Sequence, residues 1–272
     1  MRTRLLPQML APLALATTLA AGTGMAQNEA GAATKPSLPW DERALEILLG
    51  MAQHLEGLQN FQVSIRAGYD AMQPDGQMLE FLERRELRVA RPSLLRVDEA
   101  GADGRPTSLI FNGEQITVYD GAHNVFALAP QPGGIDDAMV YLLRDLQMRL
   151  PLGMMFTTYF SEELQRRLQS VAYVEESHAF TQPTHHIAGR TSWLDFQVWL
   201  PVEGEPLPRR IVLTYRGATG HPQHWMDFDE WHTDSRHDAT AFHFEPPAEA
   251  TQILFAVQVP LEHTSGQAGE AP

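Results

Sequence analysis

From residue 60 onward the chain is a series of short alternating apolar segments separated by turn residues, and no other pattern constrains its fold as much. In FNGEQITVYDGAHNVFA, residues 111–127, Asn112-Gly113 and Asp120-Gly121 can both take the positive φ angles of tight turns, while Ile116, Val118 and Tyr119 favour extended backbone. FQVSIRAGYD alternates Phe61, Val63, Ile65, Ala67 and Tyr69 with Gln62, Ser64, Arg66, Gly68 and Asp70, which is a strand with one apolar face. Pro74-Asp75-Gly76 turns it into a second long strand ending near Arg91, and segments 94–98, 108–111, 115–119 and 124–128 continue the series. Further strands are expected at 171–175, 185–188, 193–200, 209–216, 223–232 and 241–244. Sequential strands joined by tight turns are antiparallel neighbours. About a dozen of them with two or three helices predict an α+β fold, mainly antiparallel β, in which one strongly curved sheet carries helices on one face.

The helices interrupt this period at defined places. In WDERALEILLGMAQHLEGLQN, Ala44, Leu45, Ile47, Leu48, Met51, Ala52, Leu55 and Leu58 recur at three and four residue steps, with Asp41 as N-cap. Ile135, Met139, Leu142, Leu143 and Leu146 mark a second apolar stripe, and a short third helix is expected near 161–168. Between these two lies LPLGMMFTTYF, residues 150–160. Its methionines and aromatics suit either ordinary core or an adaptable lining for an apolar ligand.

Residues 1–26 read as a secretory signal peptide: Arg2 and Arg4 precede an alanine-rich apolar run broken by Pro7 and Pro12, and Gly24-Met25-Ala26 offers small residues for cleavage. Residues 27–39 form a flexible leader, 40–250 one domain, and 251–272 a C-terminal extension, partly disordered. Cleavage takes away two of the 20 basic side chains and none of the 34 acidic ones, so the formal charge moves from −14 to −16. Such a field disfavours nucleic acid and anionic membrane surfaces. The chain has no cysteine, so an exported domain must take its stability from burial and has no thiol to acylate. A soluble periplasmic protein without a transmembrane segment after cleavage is the expectation.

No catalytic or metal site is assigned, and no cofactor. The histidines of the last third lack metal-ligand spacing: His185 and His186 are strand neighbours facing opposite ways, and His221 and His224 flank Pro222. WMDFDEW puts Asp227 and Asp229 on one face of a strand, whereas glycosidase carboxylates approach a sugar from opposite sides. There is no G-x-S-x-G elbow. An envelope enzyme using His185 or His186 with Asp195, and a scaffold whose acidic outer face recruits a basic partner, are the alternatives to a binding protein.

The N-terminal helix, RPSLLRVDEAG, the hairpins of 111–127, the LPLG turn, HHIAGRTSWLDFQVWLPVEGEPLPRRIVLTYRG and FHFEPPAEA together resemble the predicted periplasmic proteins of domain-of-unknown-function family 2092, a family similar to the LolA and LolB lipoprotein carriers. The resemblance spans nearly all of residues 38–250. It implies a half-open β-barrel whose concave face is covered by helices, a shape that shelters acyl chains in LolA-like proteins, and it implies no catalytic residues. A lipid or other hydrophobic small molecule is the expected partner. Candidate lining residues are Ile65, Leu95, Val97, Ile116, Val118, Phe196, Val198, Ile211 and Leu213, with Met154, Met155 and Phe156 as a lid. A one-residue error of register would exchange the whole set.

Overall fold

The computed structural model describes residues 39–101, 104–148, 150–151 and 153–258. The expected signal peptide, nearly all of the leader and the end of the C-terminal extension lie outside them.

Asp41 caps the first helix, α1 (Glu42–Gly57), its side chain accepting from the Ala44 N–H at 3.0 Å. The chain then switches period into β1 (Asn60–Met72) and β2 (Met78–Ala90), a long hairpin closed by Gly76 at φ 89°. β3 (Leu94–Gly101), β4 (Pro106–Phe111), β5 (Gln115–Asp120) and β6 (Val125–Pro130) continue the meander. Two helices, α2 (Ile135–Arg144) and α3 (Phe160–Arg167), flank a short 3-10 turn at Gly153–Phe156. A second meander follows as β7 (Ser170–Ser177), β8 (Thr184–Arg190), β9 (Leu194–Pro201), β10 (Arg210–Tyr215) and β11 (Gln223–His232), and β12 (Thr251–Ile253) comes last.

All twelve strands form one open sheet in the order β12-β6-β5-β4-β3-β2-β1-β11-β10-β9-β8-β7. The two meanders therefore meet along β1 and β11, where Ile65 opposes Phe228 and Ala67 opposes Met226. Every pairing is antiparallel except β12 with β6, which is parallel.

One face of the sheet carries Phe61, Val63, Ile65, Leu87, Val89, Leu95, Leu109, Phe111, Ile116, Val118, Ile187, Val198, Ile211, Leu213, Met226 and Phe228, all buried. The apolar stripes of α1 (Leu45, Leu48, Met51, Leu55) and α2 (Ile135, Met139, Leu142) join them in one core. The helices thus form a cover over that face, as the periodicities require.

Two local expectations are corrected. Ala241–Phe244 is no strand: Asp238 caps a 3-10 turn at Ala239–Phe242 within a strap that crosses the other face of the sheet. The strap is held by Arg96 Nη1 donating to the Ala241 carbonyl at 3.0 Å, and Phe244 packs against Tyr119 and Phe126 with ring centroids 5.6 and 5.5 Å apart. Its Phe-His-Phe alternation therefore reflects burial from outside, and pairing falls instead to Thr251–Ile253, past residue 250. Second, Gly121 does not carry the positive φ of its turn, which falls on Asn124 at 50°. Gly121 is required because a Cβ there would lie 2.5 Å from the Pro106 carbonyl oxygen.

Candidate functional site: a cavity under the helical cover

Beneath the cover lies an apolar cavity of about 50 Å³. The sheet contributes Ile65, Leu87, Leu95, Val97, Leu109, Met226 and Phe228, the cover contributes Met139, Leu150, Pro151, Gly153 and Phe156, and among the described residues Arg85 is the single ionisable side chain on its wall. Of the residues expected to line a ligand site, Ile65, Leu95, Val97 and Phe156 border this cavity. Ile116, Val118, Val198, Ile211 and Leu213 share the covered face and are buried in the core around it, as is Met155 of the cover. Met154 and Phe196 are partly buried against the same core, and Phe196 occupies the space that a side chain at Gly189 would need.

Strand parity explains Arg85. β1 and β2 pair Val63 with Leu87 and Ile65 with Arg85, so the inward row of β2 runs Val89, Leu87, Arg85, Glu83. β3 adds Glu99 opposite Arg85, two residues beyond Val97. β11 adds His224, two residues beyond Met226 and opposite Tyr69. A polar row thus lies one strand repeat, about 6.7 Å, past the cavity-lining residues. Arg85 Nη2 contacts Glu83, and its Nε lies 3.1 Å from Glu99 Oε2. His224 Nε2 stands 3.8 Å from Glu83 Oε1, beyond hydrogen-bond reach.

Three members of the row are deeply buried, with side-chain exposure of 6% for Glu83, 13% for Arg85 and 5% for His224, while Glu99 is 32% exposed. Glu83 Oε1, Arg85 Nε and His224 Nε2 all lack a partner in hydrogen-bonding geometry. Burial, with Glu99 nearby, pushes the Glu83 carboxyl up to about 7 against the opposing pull of Arg85. Burial and the Arg85 charge hold His224 down at about 3, so its ring is neutral. Tyr69 is raised by burial and by the two glutamates, and it stacks on Phe81 at 5.7 Å at the exposed end of the row.

Of the polar row only His224 is singled out in the sequence, as a histidine without metal-ligand spacing; Glu83, Arg85 and Glu99 are not, because the apolar members of each strand carry the pattern. Its signal lies in FLERRELRVA: once Leu87 and Val89 face the core, a period of two carries Glu83 and Arg85 inward with them.

The polar residues weighed for catalysis sit elsewhere. His185 and His186 point to opposite faces; His185 Nδ1 is 3.1 Å from the Tyr173 hydroxyl, while His186 stacks on Trp199 at 4.1 Å. Asp195 is bound by Arg190 at 2.7 Å and Arg216 at 3.0 Å. Asp227 and Asp229 are tied to Arg66, and Asp227 also to Arg210 at 2.7 Å. Among the described residues no group of three His, Asp or Glu is placed to hold a metal ion, and no helix is long and apolar enough to cross a membrane.

Sheet, cover and cavity define the class: an open, mainly antiparallel half-barrel with helices over one face. Within that class, the chain belongs to the family described as "Predicted periplasmic protein (DUF2092)", whose model matches residues 44–256. Comparison with curated proteins found no match. Similar solved structures include an uncharacterized conserved protein of Thermus thermophilus, 12% identical, covering 78% of this chain and 99% of that one with a TM-score of 0.45. The lipoprotein LppX of Mycobacterium tuberculosis is 12% identical over 72% of this chain and 98% of its own, with a TM-score of 0.45. A LolA superfamily protein of Nitrosomonas europaea is 12% identical over 74% and 97%, with a TM-score of 0.36.

Proposed function

We propose that this protein binds or carries a hydrophobic ligand in the periplasm, sheltering it between the sheet and the helical cover. The observation that carries this reading is the apolar cavity bordered by Leu95, Val97, Leu109, Met139 and Phe156. At about 50 Å³ it holds only a few waters, well short of the roughly 300 Å³ at which ligand pockets begin. On this reading the structure is the closed form, and loading moves the cover outward.

The cover is anchored at its ends, where Asp41 N donates to the Val171 carbonyl of β7 and Ile135 N to the Pro92 carbonyl, but the stretch between α2 and β7 is not laced into the sheet. Among the described residues, the backbone hydrogen bonds donated from 138–168, such as those of Met148, Gly153, Thr157, Thr158 and Ser161, end within the cover or on the side chains of Asp136 and Glu56, and none of them joins the sheet ladder. Sliding of packed helices over an intact sheet is a known mode of opening.

The test is native mass spectrometry of the protein purified from its own periplasm, together with titration of the full processed chain with N-phenyl-1-naphthylamine. Co-purified lipid and saturable fluorescence are expected, and Leu109→Trp, which fills the cavity, is expected to abolish the fluorescence while circular dichroism stays native. A protein that carries no lipid and leaves the probe dark overturns the carrier reading.

A further inference from the structure

A cover that opens for a ligand must be held shut while the cavity is empty, and the bonds just behind its 3-10 turn show what holds it. We propose that Glu56 and Asp136 form a latch: in the empty form their carboxylates grip Ser161 and Thr158, and both let go on loading, so that the latch sets how fast the site fills. This rests on the carrier reading and adds how the site is kept closed.

Each grip takes both the backbone N–H and the hydroxyl of one residue. Asp136 Oδ1 accepts from the Thr158 N–H at 2.9 Å and Oδ2 from its hydroxyl at 2.5 Å. Glu56 Oε1 accepts from the Ser161 N–H at 2.5 Å and Oε2 from its hydroxyl at 3.1 Å. Hydrogen bonds to an ionised acceptor are the strong ones, and a pair of them also fixes orientation. Ser161 lies in the first turn of α3, where backbone N–H groups have no partner within the helix, so α1 closes through Glu56 a helix end that α3 cannot satisfy itself. The gripped residues follow closely on the turn Gly153–Phe156, whose Gly153 and Phe156 border the cavity. Outward motion of this roof pulls on both grips.

The two carboxylates belong to the fixed side. Just past Glu56, the Leu58 carbonyl accepts from Arg91 Nε at 2.9 Å, and the Gln59 carbonyl accepts from the Arg91 N–H at 2.8 Å. Asp136 follows the buried Ile135, whose N–H donates to the Pro92 carbonyl at 2.8 Å. The residues that follow β2 thus pin the end of α1 and the start of α2. Arg91 also offers the carboxylates a second partner. Burial lowers its guanidinium while the charges of Asp136 and Glu56 oppose that, and among the described residues its buried Nη2 meets no acceptor in hydrogen-bonding geometry. A carboxylate released by Ser161 or Thr158 has this donor to turn to, and two sets of partners for the same groups make a two-state element. A latch made only in the empty form lowers apparent affinity by the fraction of molecules that stand open, so its removal speeds loading and tightens binding. Removing a bond that merely supports the fold does neither.

The experiment is stopped-flow mixing of the full processed chain with N-phenyl-1-naphthylamine, with release followed on dilution. Glu56→Ala is expected to speed the fluorescence rise about tenfold, the scale of one charge-assisted hydrogen bond. Its release rate is expected to stay within about twofold of wild type, so that the apparent Kd falls as the loading rate rises. Thr158→Val combined with Ser161→Ala, which removes both hydroxyls and leaves the backbone bonds, is expected to give a smaller rise, about threefold, and serves if the first variant does not fold. Because the chain has no cysteine, Glu56→Cys with Ser161→Cys can be joined by a bismaleimide, which makes the grip covalent and is expected to stop loading. Loading by the cross-linked protein, or variants whose loading rate is unchanged or whose binding weakens, overturns the latch and leaves the carrier reading standing. Wild type and variants that all leave the probe dark overturn the carrier reading and the latch with it.

Discussion

Glu83 and His224 show how burial can hold two neighbouring groups in their neutral forms and so make them oppose each other in acid. Folded Glu83 keeps its proton up to about 7, against 4.5 ordinarily, so its contribution to stability is present at low pH and is lost as pH rises through that window. Folded His224 refuses a proton until about 3, against 6.5 ordinarily, so its contribution is present above 6.5 and is lost as pH falls. Between pH 4.5 and 6.5 the two slopes largely cancel. Glu83→Gln removes one of them, so its urea midpoint is expected to fall steadily from pH 6.5 to 4.5 while the wild-type midpoint stays nearly level. Parallel curves for the two proteins would show that Glu83 does not titrate in this window.

Two glycines make a contrasting pair at the same scale. Gly50 lies inside α1 with no atom within 4 Å of the place a methyl group would take, whereas the corresponding position at Gly121 meets the Pro106 carbonyl oxygen at 2.5 Å. Gly50→Ala is expected to stabilise by about 0.5–1 kcal/mol through helix propensity, and Gly121→Ala to cost about 1–3 kcal/mol by overpacking against backbone. Thermal melts of both variants against wild type measure the difference.

At the scale of elements, α1, the β1–β2 hairpin and both meanders were legible because burial and period agree along them. The strap at Ala239–Phe242 was not, because Phe242 and Phe244 turn toward the sheet from a layer that crosses it, and alternation along one segment does not tell whether a strand or such a layer produces it. Phe242 is 1% exposed, so Phe242→Ala is expected to cost about 3–5 kcal/mol, as for a large aromatic removed from a core. A loss below about 1 kcal/mol in chemical denaturation would mean that the strap is only loosely laid on the sheet. Arg96 and Asp98 project from the face of β3 that the strap crosses. Burial alone would raise the Asp98 carboxyl, but hydrogen bonds from Arg96 and Ser108 and the charges of Arg96 and Arg88 outweigh it and hold it low.

For the molecule as a whole, the apolar alternation of each strand was readable, and Ile65, Leu95, Val97, Ile116, Val118, Val198, Ile211 and Leu213 all lie on the face that meets the helices, but that helices would cover this face is a matter of how the layers assemble. How much space remains under the cover was not readable, because a volume depends on how side chains from distant segments interdigitate. The polar row lies between these cases. Each of its members obeys the parity of its own strand, but their meeting requires β11 to lie beside β1, a pairing that no local pattern announces.

That pairing has a consequence for how the chain reaches its final form. Ile65 meets Phe228 across most of the domain, and closing so long a loop delays the transition state more than it affects final stability. Each meander can zip locally, but the seam between them must wait until residue 232 is free to dock. The topology thus leaves the last turn of the lock to the C-terminal third of the domain.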